Sequence, residues 1–439
     1  MSKEKVWNYI ESNSHIAVEW LSKMVSIPSI NNATDWSVDN EKAVQKWIAE
    51  KLNDIGLDVD MWAEDEAGDR PNVVGILKGT GGGKDVMLTG HCDVVPVLQP
   101  ENWQYPPFSG VIADGMVHGR GATDMKGGLA AELFAISALK KCGIELKGDV
   151  YFASTVGEEA GEGGTIGAAT VARRGYKPSF AIVAEGTDLD MLAASTGVFM
   201  FDFIVRGKSV HGACRNQVIF PQPYGILSGS DVGVDALEKA LPFIYMFRRL
   251  ENEWNQSWRH PVVGSGGNPF YDSQGIGVFC INPCFIDGGT YRASINSYLK
   301  ITYYVWYPPT KNIDEVIAEI KSNVHHLAQT DAWLRQNPPE IIAPAIRKPL
   351  PAYDTLLDLD AINVIKQSYK EVIGKKLTIS GLKAVCDCAW FNMEGIPSVC
   401  LGPGCSFCNH GDNEFVEIEK VIQAAKIYAG FMIDYCSQA

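Results

Sequence analysis

Hydrophobic and polar positions along this chain fall into blocks whose period changes. Trp7, Ile10, Ala17, Trp20, Leu21 and Met24 recur at helical spacing and predict one helix over residues 3–25. Val44, Trp47, Ile48, Leu52 and Ile55 predict a second over 39–55, stopped by Gly56. Short apolar runs bounded by turn residues then predict strands over 57–62, 72–77 and 85–90. The run 111–118 reads as a hairpin, because Asp114-Gly115 supplies the two positive φ angles of a tight turn. A helix over 129–142 with Gly143 as its cap, and strands over 149–156 and 180–184, continue the alternation expected of an α/β sheet.

Near Ser195 the pattern changes. Long strands are predicted over 197–206 and 277–286, a helix over about 235–254 interrupted by Pro242, and a helix over 313–327. Strand, helix, two strands, helix, strand is the order of a separate α+β domain. The Pro- and Gly-rich stretches 216–233 and 263–277 read as surface loops, and 338–351 as a return linker. Helix, strand, helix and strand resume over 357–401, and a closing helix covers 418–435. The expected division is therefore 1–194 and 350–439 for one discontinuous domain, with 195–349 inserted.

Composition narrows the class without naming a substrate. A chain of 439 residues exceeds one ordinary core, and 46% hydrophobic with 21% charged residues is usual for a soluble protein. The net charge of −14 argues against nucleic acid or an anionic membrane surface as partner. No run reaches the roughly 18 apolar residues of a membrane span, and the first residues lead into a polar helix, so a cytoplasmic location is expected. The eleven cysteines, odd in number and in apolar settings, read as reduced thiols. A zinc or iron–sulfur site from Cys386, Cys388, Cys400, Cys405 and Cys408 is the weaker reading, because the paired Cys-x-x-Cys spacing is absent. Residues 79–84 superficially resemble a phosphate loop, but Asp85 stands where Ser or Thr would be required; they form a turn.

Candidate chemistry gathers at the ends of predicted strands. His91 and Asp93, two apart, project to one face while Cys92 points away, giving an imidazole ligand and a carboxylate able to fix its tautomer. The plainer alternative is a strand that simply ends at the surface. So much glycine in 119–128 holds Asp124 at a helix start in an unusual backbone. Glu158-Glu159 close the next strand and Glu185 the one after; His211 lies in a turn of the second domain and His410 in the loop before the last helix. In an open α/β sheet the ligand site lies at such carboxyl ends.

Taken in order, Gly90-His91-x-Asp93-Val94-Val95-Pro96, Gly119-Arg120-Gly121-Ala122-x-Asp124-Met125-Lys126-Gly127-Gly128, Glu158-Glu159, Ala184-Glu185-Gly186-Thr187 and His410 resemble one family. It is the co-catalytic zinc amidohydrolase family of acetylornithine deacetylase, succinyl-diaminopimelate desuccinylase, aminoacylase and glutamate carboxypeptidase. The resemblance implies a zinc-peptidase-like three-layer α/β catalytic domain with an inserted α+β, ferredoxin-like lid and dimerisation domain. It implies two divalent ions, most readily Zn2+ with Co2+ or Mn2+ tolerated, held by His91 and Glu185, by Glu159 and His410, and bridged by Asp124. Asp93 would orient His91, and Glu158 would be the base acting on a metal-bridged water. His211 would stabilise the oxyanion, in many members from the neighbouring subunit of a homodimer, and a cis peptide would follow Asp124. Asn296, Arg292, Gly402 and Gly404 are the candidates for substrate binding.

The implied reaction is hydrolysis of an amide bond in a small N-acetyl, N-formyl or similar compound. A dipeptidase or carboxypeptidase with the same site is the near alternative, and a non-catalytic binding homologue the remote one. Tyr304-Val305-Trp306-Tyr307, where many relatives carry Asp-x-Arg, and Cys386-Asp387-Cys388, where a Gly-x-Thr-Asp-Ala pattern is usual, depart from the ornithine and diaminopimelate enzymes.

Overall fold

The computed structural model describes residues 2–31, 40–263, 278–346 and 348–438. The chain divides into two compact units, Met1–Ala194 with Tyr353–Gly381 and Cys386–Ala439, and Ser195–Ala352 with Leu382–Val385.

The first unit is built on a sheet of nine strands among the described residues. Its order is Asp58–Trp62, Asn72–Leu77, Val150–Thr155, Val86–His91, Phe180–Val183, Ser398–Cys400, Met191–Ser195 and Tyr353–Asp354, with Ile379–Leu382 also beside Met191–Ser195. Val86–His91 runs parallel to both neighbours and all six of its residues are buried, as a continuous apolar run demands. Because the central strands are parallel, His91, the Gly157–Glu159 turn and Ala184-Glu185 emerge at the same edge. The helix Gly127–Lys141 is buried from Gly127 through Leu139 and packs against Ser14–Val25 and Ile418–Tyr435. Gly128 allows this approach, since a Cβ there would lie 2.0 Å from the Ala184 carbonyl oxygen. A small sheet of Phe415–Glu417, Met116–His118 and Val111–Ala113 ties the C-terminal loop to the hairpin that leads into the Asp124 turn.

The second unit is a four-stranded antiparallel sheet ordered Ile281–Gly288, Tyr298–Tyr307, Gly197–Arg206, Glu340–Ile342, with the helix Ala236–Ser257 against it and Ile313–Ala328 beside that helix. This is the ferredoxin-like order. Phe201, Phe203, Phe243, Phe247 and Tyr303 fill its core with ring contacts of 4.8–5.5 Å.

Several predicted elements differ in detail. The N-terminal helix is two, Ser2–Ser12 and Ser14–Val25, broken at Asn13, whose φ of −121° leaves the helical region. Pro242 does not interrupt its helix: it lies in the second turn on the exposed face, while Ala240, Phe243, Met246, Phe247 and Leu250 keep the other face packed. The helix expected from Leu129 begins at Gly127, after the 122–126 turn that contains Asp124. The strand predicted over 277–286 runs Ile281–Gly288 within the described residues; residue 277 and nearly all of the predicted 263–277 loop lie outside them. A short helix, Arg215–Ile219, enters the predicted 216–233 loop, and the Pro-rich 338–351 linker contains the edge strand Glu340–Ile342.

Candidate metal centre

Six of the candidate side chains meet at the carboxyl edge of the first unit's sheet. His91 Nε2 is 3.1 Å from Asp124 Oδ1, 3.6 Å from Glu185 Oε1 and 4.0 Å from Glu158 Oε2. His410 Nε2 is 3.3 Å from Asp124 Oδ2 and 3.0 Å from Glu159 Oε2. Asp124 thus turns one oxygen to each histidine. One ligand atom each of His91, Asp124 and Glu159 lies within 4.8 Å of the others. His91 is buried and His410 is half exposed, its side chain 56% accessible, so solvent reaches the cluster on the His410 side.

Hydrogen bonds around Asp93 and Glu414 hold several of these residues in place. The His91 Nδ1 lies 2.8 Å from the Asp93 carbonyl oxygen, while the Asp93 carboxylate is farther, at 3.7 Å. That carboxylate instead accepts the N–H groups of Glu158 at 3.3 Å and Glu159 at 3.1 Å, and Asn31 Nδ2 at 2.7 Å. Asp93 therefore fixes the imidazole with its backbone and the paired glutamates with its side chain. The Asp124 turn, whose Asp124–Met125 peptide is cis, is held by Glu414, which accepts N–H groups from Gly121, Thr123 and Asp124 at 2.8–3.1 Å. Arg120 Nη1 donates to Glu414 at 2.7 Å and Nη2 to the His410 carbonyl at 3.3 Å, so one buried ion pair braces both Asp124 and His410.

Among so many carboxylates, protonation is unsettled. Burial, with Asp124 beside it, pushes Glu159 up to about 7, and burial raises Glu158 and Glu185 well above the usual carboxylate range. Hydrogen bonds to Asp124 and then Glu159 push His410 up to about 11. Burial opposes a charge on His91, but Asp124, Glu185 and Glu158 outweigh it and hold its pKa well above normal. A divalent cation inverts that balance by releasing the imidazole lone pairs and favouring ionised glutamates. The donor set of imidazole nitrogens and carboxylate oxygens suits zinc and similar ions, and Glu159 Oε1, buried without a hydrogen-bond partner, is an acceptor awaiting one.

The remaining candidates are not among these six. His211, Arg292 and Asn296 belong to the second unit. His211 caps a short turn, its Nδ1 accepting the Ala213 N–H at 3.1 Å; Arg292 is exposed; the Asn296 side-chain Oδ1 accepts the Gly289 and Tyr298 N–H groups. Gly402 and Gly404 act through backbone: Gly402 N–H donates to Thr187 Oγ1 at 3.1 Å, and the Gly404 carbonyl accepts the Asp188 N–H at 2.7 Å, fixing the loop that follows Glu185. A Cβ at Gly402 would meet the Ala184 carbonyl oxygen at 2.2 Å. Sequence reasoning missed Glu414, Arg120, Asn31 and Asp387. Asp387 is fully buried, takes the Thr155 hydroxyl at 3.1 Å, and is raised to about 6 by burial.

A sheet carrying two histidines and a ring of carboxylates at its carboxyl edge, with a ferredoxin-like unit inserted in the chain, defines the class of metal-dependent hydrolases. Residues 87–434 match the model of peptidase family M20/M25/M40, and the chain belongs to that family. It is accordingly a hydrolase of amide bonds. It is 33% identical to the N-formyl-4-amino-5-aminomethyl-2-methylpyrimidine deformylase of Bacillus subtilis, over 91% of this chain and 90% of that one. It is 29% identical to the enzyme of the same name from Halalkalibacterium halodurans, over 99% and 97%. The crystal structure of the Bacillus subtilis YXEP protein, a dinuclear metal binding peptidase from the M20 family, shares the fold at a TM-score of 0.64 and 14% identity, covering 98% of this chain and all of that one.

Proposed function

We propose that the protein hydrolyses the amide of a small N-acylated amine, with N-formyl compounds of the aminomethylpyrimidine kind the foremost candidates. In this reading His91 and Glu185 would hold one divalent ion, Glu159 and His410 a second, and Asp124 would be shared between them, with zinc the metal of choice. The observation that carries it is Asp124, whose two oxygens address different histidines. Ions bound there would supply Lewis acidity to activate a water and the substrate carbonyl. Glu158 accepts the proton of the attacking water and returns it to the departing amine. His211 donates an N–H to the developing oxyanion, either in its own chain's site or in that of a partner in a homodimer formed through the inserted unit. Arg292 and Asn296 are its companions for substrate, while Gly402 and Gly404 shape the pocket wall. The cytoplasm is the proposed location; among the described residues no helix is long and apolar enough to cross a membrane.

The names of the two relatives above, which span nearly the whole chain, support a formyl substrate. A metal-supplemented screen of N-formyl and N-acetyl amines, N-acyl amino acids and dipeptides tests it. Release of formate or acetate from the small amides is expected, and activity confined to dipeptides would overturn the reading.

A further inference from the structure

Beyond the hydrolytic centre the first unit holds a second cluster of ligating atoms. Cys386, Cys388 and Cys400 are 3%, 0% and 0% exposed, and their sulfurs lie within 4.8 Å of one another. Cys386 Sγ is 3.2 Å and Cys388 Sγ 3.5 Å from Cys400 Sγ. The three are free thiols on firm supports: Cys400 ends the strand Ser398–Cys400, and Cys388 opens the helix Cys388–Met393. The Tyr353 hydroxyl, 3.8 Å from Cys400 Sγ, closes one side.

Size and charge select what such a triangle takes. Metal–sulfur bonds of about 2.3 Å place sulfurs about 3.8 Å apart around a tetrahedral ion and about 4.0 Å apart around a planar one. The two measured separations are shorter and suit a pyramidal ion seated above the triangle. Burying net charge is costly, and all three cysteines sit in the protein interior. Three thiolates around a monovalent or divalent ion leave negative charge in this interior, whereas around a trivalent ion they leave none. Burial pushes all three thiols well above their ordinary pKa, which disfavours thiolate attack on disulfides.

We propose that Cys386, Cys388 and Cys400 form a binding site for a trivalent thiophilic ion of the arsenite type. Arsenous acid, small and uncharged at neutral pH, exchanges its three As–O bonds for three As–S bonds. Each thiol proton leaves with a hydroxide as water, and arsenic remains trivalent. Soft sulfur donors here and nitrogen and oxygen donors at the hydrolytic centre sort two kinds of ion.

The test is arsenic X-ray absorption, with arsenic counted by mass spectrometry, on the protein loaded with its divalent ions, treated with arsenite and freed of excess. One arsenic per chain bound by three sulfurs and no oxygen is expected. That signal should be lost in Cys400→Ser and kept in Cys405→Ser/Cys408→Ser. Should Cys400→Ser fail to fold, Cys386→Ser and Cys388→Ala must each reduce the shell to two sulfurs and one oxygen. Retention of no arsenic would overturn the proposal. So would a shell of two sulfurs and one oxygen that disappears with Cys405 and Cys408.

Discussion

Asp124 and Glu158 illustrate how differently two acids serve one site. Asp124 is fixed by its turn, with each oxygen aimed at a histidine, whereas Glu158 hangs from a main-chain N–H held by Asp93. A base acts on a proton rather than on an ion, so Glu158→Ala should keep the wild-type metal content while kcat falls by about 10²–10⁴. Metal analysis beside steady-state kinetics checks this, and near-normal turnover would remove Glu158 from the mechanism. Glu414 makes a different prediction. Its removal strands Arg120 as a buried unpaired charge and releases three N–H groups of the Asp124 turn, so Glu414→Ala should cost about 3–5 kcal/mol in denaturant unfolding and weaken metal retention. His91, Glu159 and Glu185 stood out because each closes an apolar strand, and Asp124 because it sits in a glycine-rich turn, whereas His410 lies in an unpatterned loop and was singled out only through the resemblance. Glu414 was not: its partners lie about 290 positions away in sequence, and only the folded chain shows that its carboxylate organises a distant turn. Asp93 was half legible, since spacing put it beside His91 but could not say that its carbonyl, not its carboxylate, makes the closer contact.

Elements were legible where burial is one-sided or complete. The all-buried strand Val86–His91 and the helix Ile418–Tyr435 stand close to where their apolar patterns put them. The break at Asn13 and the unbroken helix through Pro242 were not, because tertiary packing decides both. The edge strand Glu340–Ile342 is only three residues long and lies between prolines, which masks its apolar pair, and pairing with Gly197–Arg206 creates it. Two predictions belong at this scale. In the helix Gly127–Lys141, Gly128→Ala must push its new methyl against the Ala184 carbonyl, costing about 1–3 kcal/mol and disturbing Glu185 next to it. A shift in thermal midpoint together with weaker metal binding checks both effects. In the same helix, burial pushes the Glu132 carboxyl well above its ordinary 4.5. Its contribution to stability is full below pH 4.5 and is lost as pH rises towards the folded-state value, because only the unfolded chain ionises in that interval. Glu132→Gln removes this dependence, so wild type should lose stability relative to the variant as pH rises. Urea midpoints measured at several pH values from acid to neutral check the sign, and a constant difference would contradict it.

At the scale of the molecule, the change of pattern near Ser195 foreshadows a chain of two compact units, and strand, helix, two strands, helix, strand foreshadows the order of the second sheet. Neither pattern says how His211 reaches a substrate. If it acts across a homodimer, mixing inactive His211→Ala with inactive Glu158→Ala subunits should restore part of the activity, because some mixed dimers own one intact site. No recovery after subunit exchange would assign His211 to its own chain's site. The central claim is that two divalent ions, bridged by Asp124, make this chain an amide hydrolase. Titrating zinc into chelator-stripped protein, with formate release from an N-formyl amine as the readout, tests it most directly. Activity should be absent at the start and reach its plateau at two equivalents per chain. Full turnover by the stripped protein, or a plateau at one equivalent, would contradict it.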